Sequence, residues 1–144
     1  MVITADFFRT PNDIGLIMEP IARLTRQRQI IEDVLARTER PLTPQELLSE
    51  AQRELPRLGI ATVYRALRVG QDAGSIHPVE VQGAAVRYEL ANHGHHHHFH
   101  CTICSRIFEV HACPGDLQHL AAPGFVVTGH DLTLRGTCSE CAKK

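Results

Sequence analysis

Apolar residues recur at helical spacing through the first half of this chain and at strand spacing through much of the second. Ile30, Ile31, Val34 and Leu35 form the stripe of an amphipathic helix, with Thr25 as its cap and Pro41 closing the segment. A shorter helix is predicted ahead of it, capped by Asp13, carrying Ile14, Leu16, Ile17 and Met18, and ending near Ile21-Ala22 just past Pro20. Thr43 opens the next helix. Pro44 stands at its first position and Glu46 three residues after the cap, which is the spacing of a capping box. Leu47, Leu48, Ala51 and Leu55 supply its apolar face. After Pro56-Arg57-Leu58-Gly59 a third helix spans Ala61 to Val69. Val63, Ala66, Leu67 and Gly70 face inward there, Tyr64, Arg65 and Arg68 project outward, and Gly74 ends the run. Two strand-like stretches follow, Ile76–Val81 and Ala85–Leu90, joined through Gln82-Gly83-Ala84 as a hairpin.

Three helices and a hairpin, in that order, are the plan of a winged helix-turn-helix. The remainder predicts short strands near Ile107–Val110, Phe125–Thr128 and Leu132–Arg135 and a helix around Asp116–Ala121. The fold class is therefore α+β: a winged-helix unit over residues 1–84, then a small α/β unit over 85–144, which the motifs described below make the metal-binding and, by resemblance, dimerisation unit. Residues 1–12 carry no period and read as an arm. Composition supports two units. Residues 1–75 hold ten Arg and ten acidic residues but no His and no Cys; all ten His and all five Cys lie beyond Gly74-Ser75. The formal net charge is −1, so any contact with DNA must come from a local patch. No run of about 18 apolar residues suggests a membrane span. The N-terminus lacks the basic and apolar regions of a secretory signal, which predicts a cytoplasmic protein. In a reducing compartment, paired cysteines point to metal before disulfide.

Cys101-Thr102-Ile103-Cys104 and Cys138-Ser139-Glu140-Cys141 are two CxxC pairs. Zinc favours tetrahedral thiolates, and four of them leave no open position, so the predicted site is structural. Just before the first pair stand His93, His95, His96, His97, His98 and His100. If this stretch is extended, His95 and His97 face one way and His96 and His98 the other, so one strand feeds two metal sites. Further ligand candidates are His77, Glu89, Glu109, Asp116 and His130. Cys113 reads as a small packed residue, and His111 and His119 as polar surface. On the third helix, Tyr64, Arg65 and Arg68 suit either base and phosphate contact or a solvated charged face, and Arg23, Arg26 and Arg28 are candidates for contacting the DNA backbone.

These motifs resemble the ferric uptake regulator family. The carrying segments are Gly-Ile-Ala-Thr-Val-Tyr-Arg-Ala-Leu (59–67), Arg87-Tyr88-Glu89-Leu90, the His tract running into Cys101-Thr102-Ile103-Cys104, Phe108-Glu109, and Gly136-Thr137-Cys138-Ser139-Glu140-Cys141. The resemblance implies a homodimeric, metal-dependent repressor of metal-uptake genes that binds a palindromic double-stranded operator, with no membrane association and no enzymatic activity. It implies a structural zinc on Cys101, Cys104, Cys138 and Cys141. It places a regulatory metal on Glu89, His96 and His98, and a third site on His95, His97, Asp116 and His130. Tyr64 and Arg65, with Thr62 and Arg23, are the implied DNA contacts.

The sequence departs from the family pattern in places. Arg40-Pro41-Leu42 stands where the iron and peroxide branches often take a His ligand, and His97 replaces a common Asp. His77 lies where the zinc-uptake branch places a ligand, although the Cys typical of that branch near 88–91 is absent. A His77/Glu89/His96/His98 set suits zinc, with iron or manganese as the alternative sensing metal. A zinc enzyme and a metal carrier are the rival classes. Neither HExxH nor a Pro-preceded CxxC occurs, and a carrier has no need of the capped helices bearing Tyr64 and Arg65.

Overall fold

The computed structural model describes residues 13–91 and 94–143; the expected arm at 1–12 and His93 lie outside them. The first helix, α1, runs unbroken from Asp13 to Thr38. It absorbs both helices expected there. Pro20 costs it a backbone hydrogen bond without ending it, and Thr25 sits inside it rather than at a cap. Ile31 and Val34 are fully buried, and Ile30 and Leu35 nearly so. Helix α2, Pro44–Ala51, begins with the expected capping box: the Glu46 amide donates to the Thr43 hydroxyl at 3.2 Å and the Thr43 amide to the Glu46 carboxylate at 2.8 Å. Helix α3, Ile60–Asp72, buries Val63, Ala66, Leu67 and Gly70. A Cβ at Gly70 would stand 2.5 Å from Cδ1 and 2.8 Å from Cγ1 of Ile76, so the missing side chain lets α3 lie against the first strand.

Strands β1, Ile76–Val79, and β2, Arg87–Leu90, pair antiparallel, and Leu42 exchanges backbone hydrogen bonds with Tyr88 to add a third rung. Gly83 takes a positive φ of 80° in the turn, a conformation that favours glycine. Ile76 joins the helical core, with Tyr88 and Leu90 packed against it. By pairing and packing, β2 thus belongs with the helices, although it lies past the expected division at residue 84.

The remaining sheet has the order β4-β3-β5, from β3 His97–Cys101, β4 Ile107–Val110 and β5 Thr133–Gly136. β4 is antiparallel to β3, and β5 is parallel to it. Two expectations fail here. Phe125–Thr128 is not a strand: Phe125 and Val126 are 68% and 81% exposed, with no strand among the described residues paired with them. The helix near 116–121 shrinks to one 3-10 turn, Gln118–Leu120, since Pro114, Gly115 and Pro123 leave little room for helical hydrogen bonds. A second small core of Val79, Val81 and Ile107 joins the hairpin to β4.

Candidate metal centres and nucleic-acid surface

Alternation along the start of β3 separates the His tract into two groups. His96 and His98 point toward the end of β2, where the two carboxylate oxygens of Glu89 lie 3.1 Å from Nε2 of His96 and 3.2 Å from Nε2 of His98. The three side chains are largely buried, with donor atoms within 4.8 Å of one another. Nδ1 of His96 lies 2.8 Å from the Gly94 carbonyl. Donating its proton there leaves Nε2 turned to the cluster, as a metal-ligating His is usually held. Burial alone would raise the Glu89 carboxyl, but the hydrogen bond and charge of His98, with His96 beside it, bring it below its ordinary value. Burial would likewise lower His96; the Gly94 carbonyl, Glu89 and Glu109 outweigh it and raise the ring.

His77 does not join this group. It lies directly across the hairpin from Glu89, but it is solvent-exposed and its ring stays outside the 4.8 Å cluster. Glu109 lies beside the group without joining it. It faces His98 across the β3–β4 pair, its side chain is only 6% exposed, and its charge acts on His96. His77 is expected there from the position at which the zinc-uptake branch places a ligand; the strand register leaves it exposed and sets Glu109 across from His98.

The opposite face gathers His95, His97 and His130. His95 and His130 place their Nε2 atoms 3.4 Å apart, and the His97 ring is 4.6 Å and 5.0 Å from theirs, centroid to centroid. Burial, with His95 and His130 alongside, holds the His97 imidazole below its ordinary value, which favours its neutral form. Asp116 is absent from this group. Its carboxylate accepts the Gln118 amide at 2.8 Å and starts the 3-10 turn. Cys113 occupies the fourth place, and it is exposed rather than packed. Sequence reasoning missed it because a lone cysteine between two turns carries no spacing signal.

The two CxxC pairs converge at the far end of the same sheet. Cys101 and Cys138 are buried, Cys104 and Cys141 half-buried, and all four sulfurs lie within 4.8 Å of one another. Tetrahedral Zn–S bonds of about 2.3 Å set sulfurs about 3.8 Å apart, and Cys104 and Cys138 stand at 3.9 Å. The residues fit a zinc ion. Amide hydrogen bonds from Cys104 and Cys138 bring the Cys101 thiol down to about 6. The Arg106 guanidinium, donating to Cys104 Sγ at 3.3 Å, lowers that thiol too. Cys141, hydrogen-bonded to Cys138 and desolvated by burial, is pushed up to about 12. A divalent ion would stabilise thiolates at these positions.

On the helical unit, Tyr64 and Arg65 are exposed on α3. Arg65 donates to the Ala61 carbonyl at 3.3 Å and lies 3.4 Å from the Thr62 hydroxyl. Thr62, Arg65 and Arg28 border one shallow cavity, of about 380 Å³. Arg23, Arg26 and Arg57 border a larger one, of about 660 Å³, between α1 and the loop before α3. Cationic groups therefore flank the outward face of α3.

The ferric uptake regulator family model matches residues 21–135. This chain belongs to the ferric uptake regulator family. It is 31% identical to the ferric uptake regulation protein of Campylobacter upsaliensis over 134 residues, covering 90% of this chain and 86% of that one. It is also 31% identical to the peroxide operon regulator of Bacillus subtilis, over 89% of this chain and 90% of the relative. The fold is that of the Helicobacter pylori ferric uptake regulator, with a TM-score of 0.69 at 24% identity, covering 94% of this chain and 96% of that one. Members of the family are metal-dependent, dimeric DNA-binding regulators of transcription and not enzymes. No helix among the described residues is long and apolar enough to cross a membrane.

Proposed function

We propose that this protein is a zinc-responsive repressor of metal-uptake genes, acting in the cytoplasm as a homodimer on a palindromic operator. The observation that carries the proposal is the Glu89/His96/His98 cluster: Glu89 ends the winged-helix hairpin, whereas His96 and His98 lead into the dimerisation sheet. A divalent ion held there would fix the hairpin against β3. Two reading heads on a dimer must match half-sites about one helical turn, or a multiple of it, apart. Fixing the hinge raises the fraction of molecules with that spacing, and apparent affinity rises with it. Cys101, Cys104, Cys138 and Cys141 are assigned to a structural zinc, and Thr62, Tyr64, Arg65 and Arg23 to DNA. The tri-imidazole group of His95, His97 and His130 is assigned to a third metal site.

Iron or manganese is the second reading. Glu109 in place of His77 gives two imidazoles and two carboxylates, a set that accepts harder ions as well as zinc. Operator duplexes selected from a random pool by the metal-loaded protein allow a gel-shift titration against each divalent ion. Zinc is expected to promote binding at the lowest concentration; half-saturation first by iron or manganese transfers the assignment to that metal. His96→Ala is expected to keep the structural zinc and the dimer yet lose metal-dependent binding, with His97→Ala milder. The reverse order would mean that the two faces of the tract have been exchanged.

A further inference from the structure

Cys113 lies beyond any ligand set read from the sequence, yet its sulfur stands 3.3 Å from Nε2 of His130. His130 is in turn 3.4 Å from Nε2 of His95. Tetrahedral bonds of about 2.0–2.1 Å to nitrogen and 2.3 Å to sulfur place donors about 3.3–3.6 Å apart, so both separations suit a shared ion. His97 completes the group with its donor atom inside the same 4.8 Å. Its ring is 2% exposed; Nδ1 meets the Leu132 amide at 3.3 Å, and Nε2 is buried with no hydrogen-bond partner. Buried polar atoms are seldom left so without a purpose.

We infer that Cys113 is the fourth ligand of a His95/His97/Cys113/His130 site, which takes a borderline divalent ion of the Zn2+ or Co2+ kind as a closed three-nitrogen, one-thiolate set. This rests on reading the three imidazoles as a metal site and changes what that site selects. A carboxylate from Asp116 would have admitted Mn2+ or Fe2+ readily; a thiolate favours zinc and cobalt over those harder ions. Binding displaces the thiol proton to solvent. The site also has a mechanical consequence. Cys113 and His130 bracket a connection whose only regular element among the described residues is the turn at Gln118–Leu120. One ion holding both ends to the start of β3 clasps that connection to the sheet.

The test uses the full-length protein with zinc retained at the four-cysteine site, titrated with Co2+. Wild type is expected to show a near-ultraviolet thiolate-to-cobalt band that Cys113→Ser lacks. Cys113→Ser should bind that cobalt roughly tenfold or more weakly, whereas Asp116→Asn keeps both band and affinity. In parallel, zinc should slow iodoacetamide labelling of Cys113, read on its own peptide, in wild type but not in His130→Ala. If the cobalt binds without a thiolate band and Asp116→Asn loses it, Cys113 is not the ligand and the three-histidine reading survives. If His130→Ala takes up as much cobalt as wild type, the third site itself falls.

Discussion

Arg87 is 5% exposed, yet its guanidinium reaches two separate parts of the chain. One nitrogen donates to the Glu46 carboxylate at 2.5 Å and another to the Ser105 carbonyl at 2.7 Å. Glu46 lies in the first turn of α2, and Ser105 follows Cys104, so one side chain ties the winged helix to the turn of the first CxxC pair. A buried charge of this kind is tolerated only with its partners in place. Glu46 meanwhile caps Thr43 and pairs with Arg40 at 3.1 Å. Burial would raise its carboxyl, but the Thr43 amide, Arg40 and Arg87 together bring it below the usual value. Ionised Glu46 therefore contributes stability above the usual carboxylate range, and that contribution disappears as pH falls through the lower folded-state value. Glu46→Gln should cost about 1–3 kcal/mol at neutral pH, with the gap to wild type closing in acid. A gap in urea-unfolding free energy that stays constant from pH 7 to below 4 would contradict this. The capping role of Glu46 was legible in the sequence as a three-residue spacing. Its pairing with Arg87, 41 residues away, was not.

Elements with local signals came out nearly as read: α2 from its cap and Pro44, α3 from its apolar spacing, and the hairpin from the glycine in its turn. Of the strands that needed partners, Ile107–Val110 came out as read and Leu132–Arg135 one residue later, but a third did not form. Phe125–Thr128 has the composition of a strand, but no strand among the described residues pairs with it. Residues 13–38 form one helix, which neither Pro20 nor Thr25 ends. At this scale α3 makes the functional prediction. Its exposed Tyr64 should contribute sequence preference and Arg65 general affinity. Tyr64→Ala is expected to flatten discrimination between operator and random duplex. Arg65→Ala should weaken binding to both and reduce the salt slope by about one, if it neutralises a phosphate. Footprints indistinguishable from wild type for both variants would move the reading surface off this helix.

Among the described residues, several contacts tie the helical part of the chain to the β4-β3-β5 sheet. Besides Arg87, the Val79/Val81/Ile107 cluster packs the hairpin on β4, and Arg135 of β5 donates to the Gln82 carbonyl at 3.0 Å in the hairpin turn. Glu89, two residues along from Arg87, brings the metal cluster to the same seam. In the proposed mechanism, an ion held at this seam would bias how the hairpin sits on the sheet. The four-cysteine site sits at the other end of the sheet and joins the end of the chain to β3, with the Thr102 amide bonded to the Gly136 carbonyl at 2.8 Å. Cys101→Ser or Cys141→Ser should therefore lose one zinc per protomer and weaken dimerisation, since metal binding and folding are coupled there. A zinc-free variant that sediments as a stable dimer would separate the two.

The sequence by itself determined the local chemistry: caps, helical stripes, the paired cysteines, and the alternation that sends His95 and His97 one way and His96 and His98 the other. Each is a matter of spacing within a few residues, where backbone geometry leaves little choice. Only the tertiary structure decided which distant groups stand beside each cluster. The register of β3 on β4 set Glu109 across from His98, while the hairpin left His77 exposed. The connection between β4 and β5 folded Cys113 onto His130 and turned Asp116 to the Gln118 amide. Such choices depend on strand register and loop path, which are fixed by packing across the whole chain and leave no periodic trace in it.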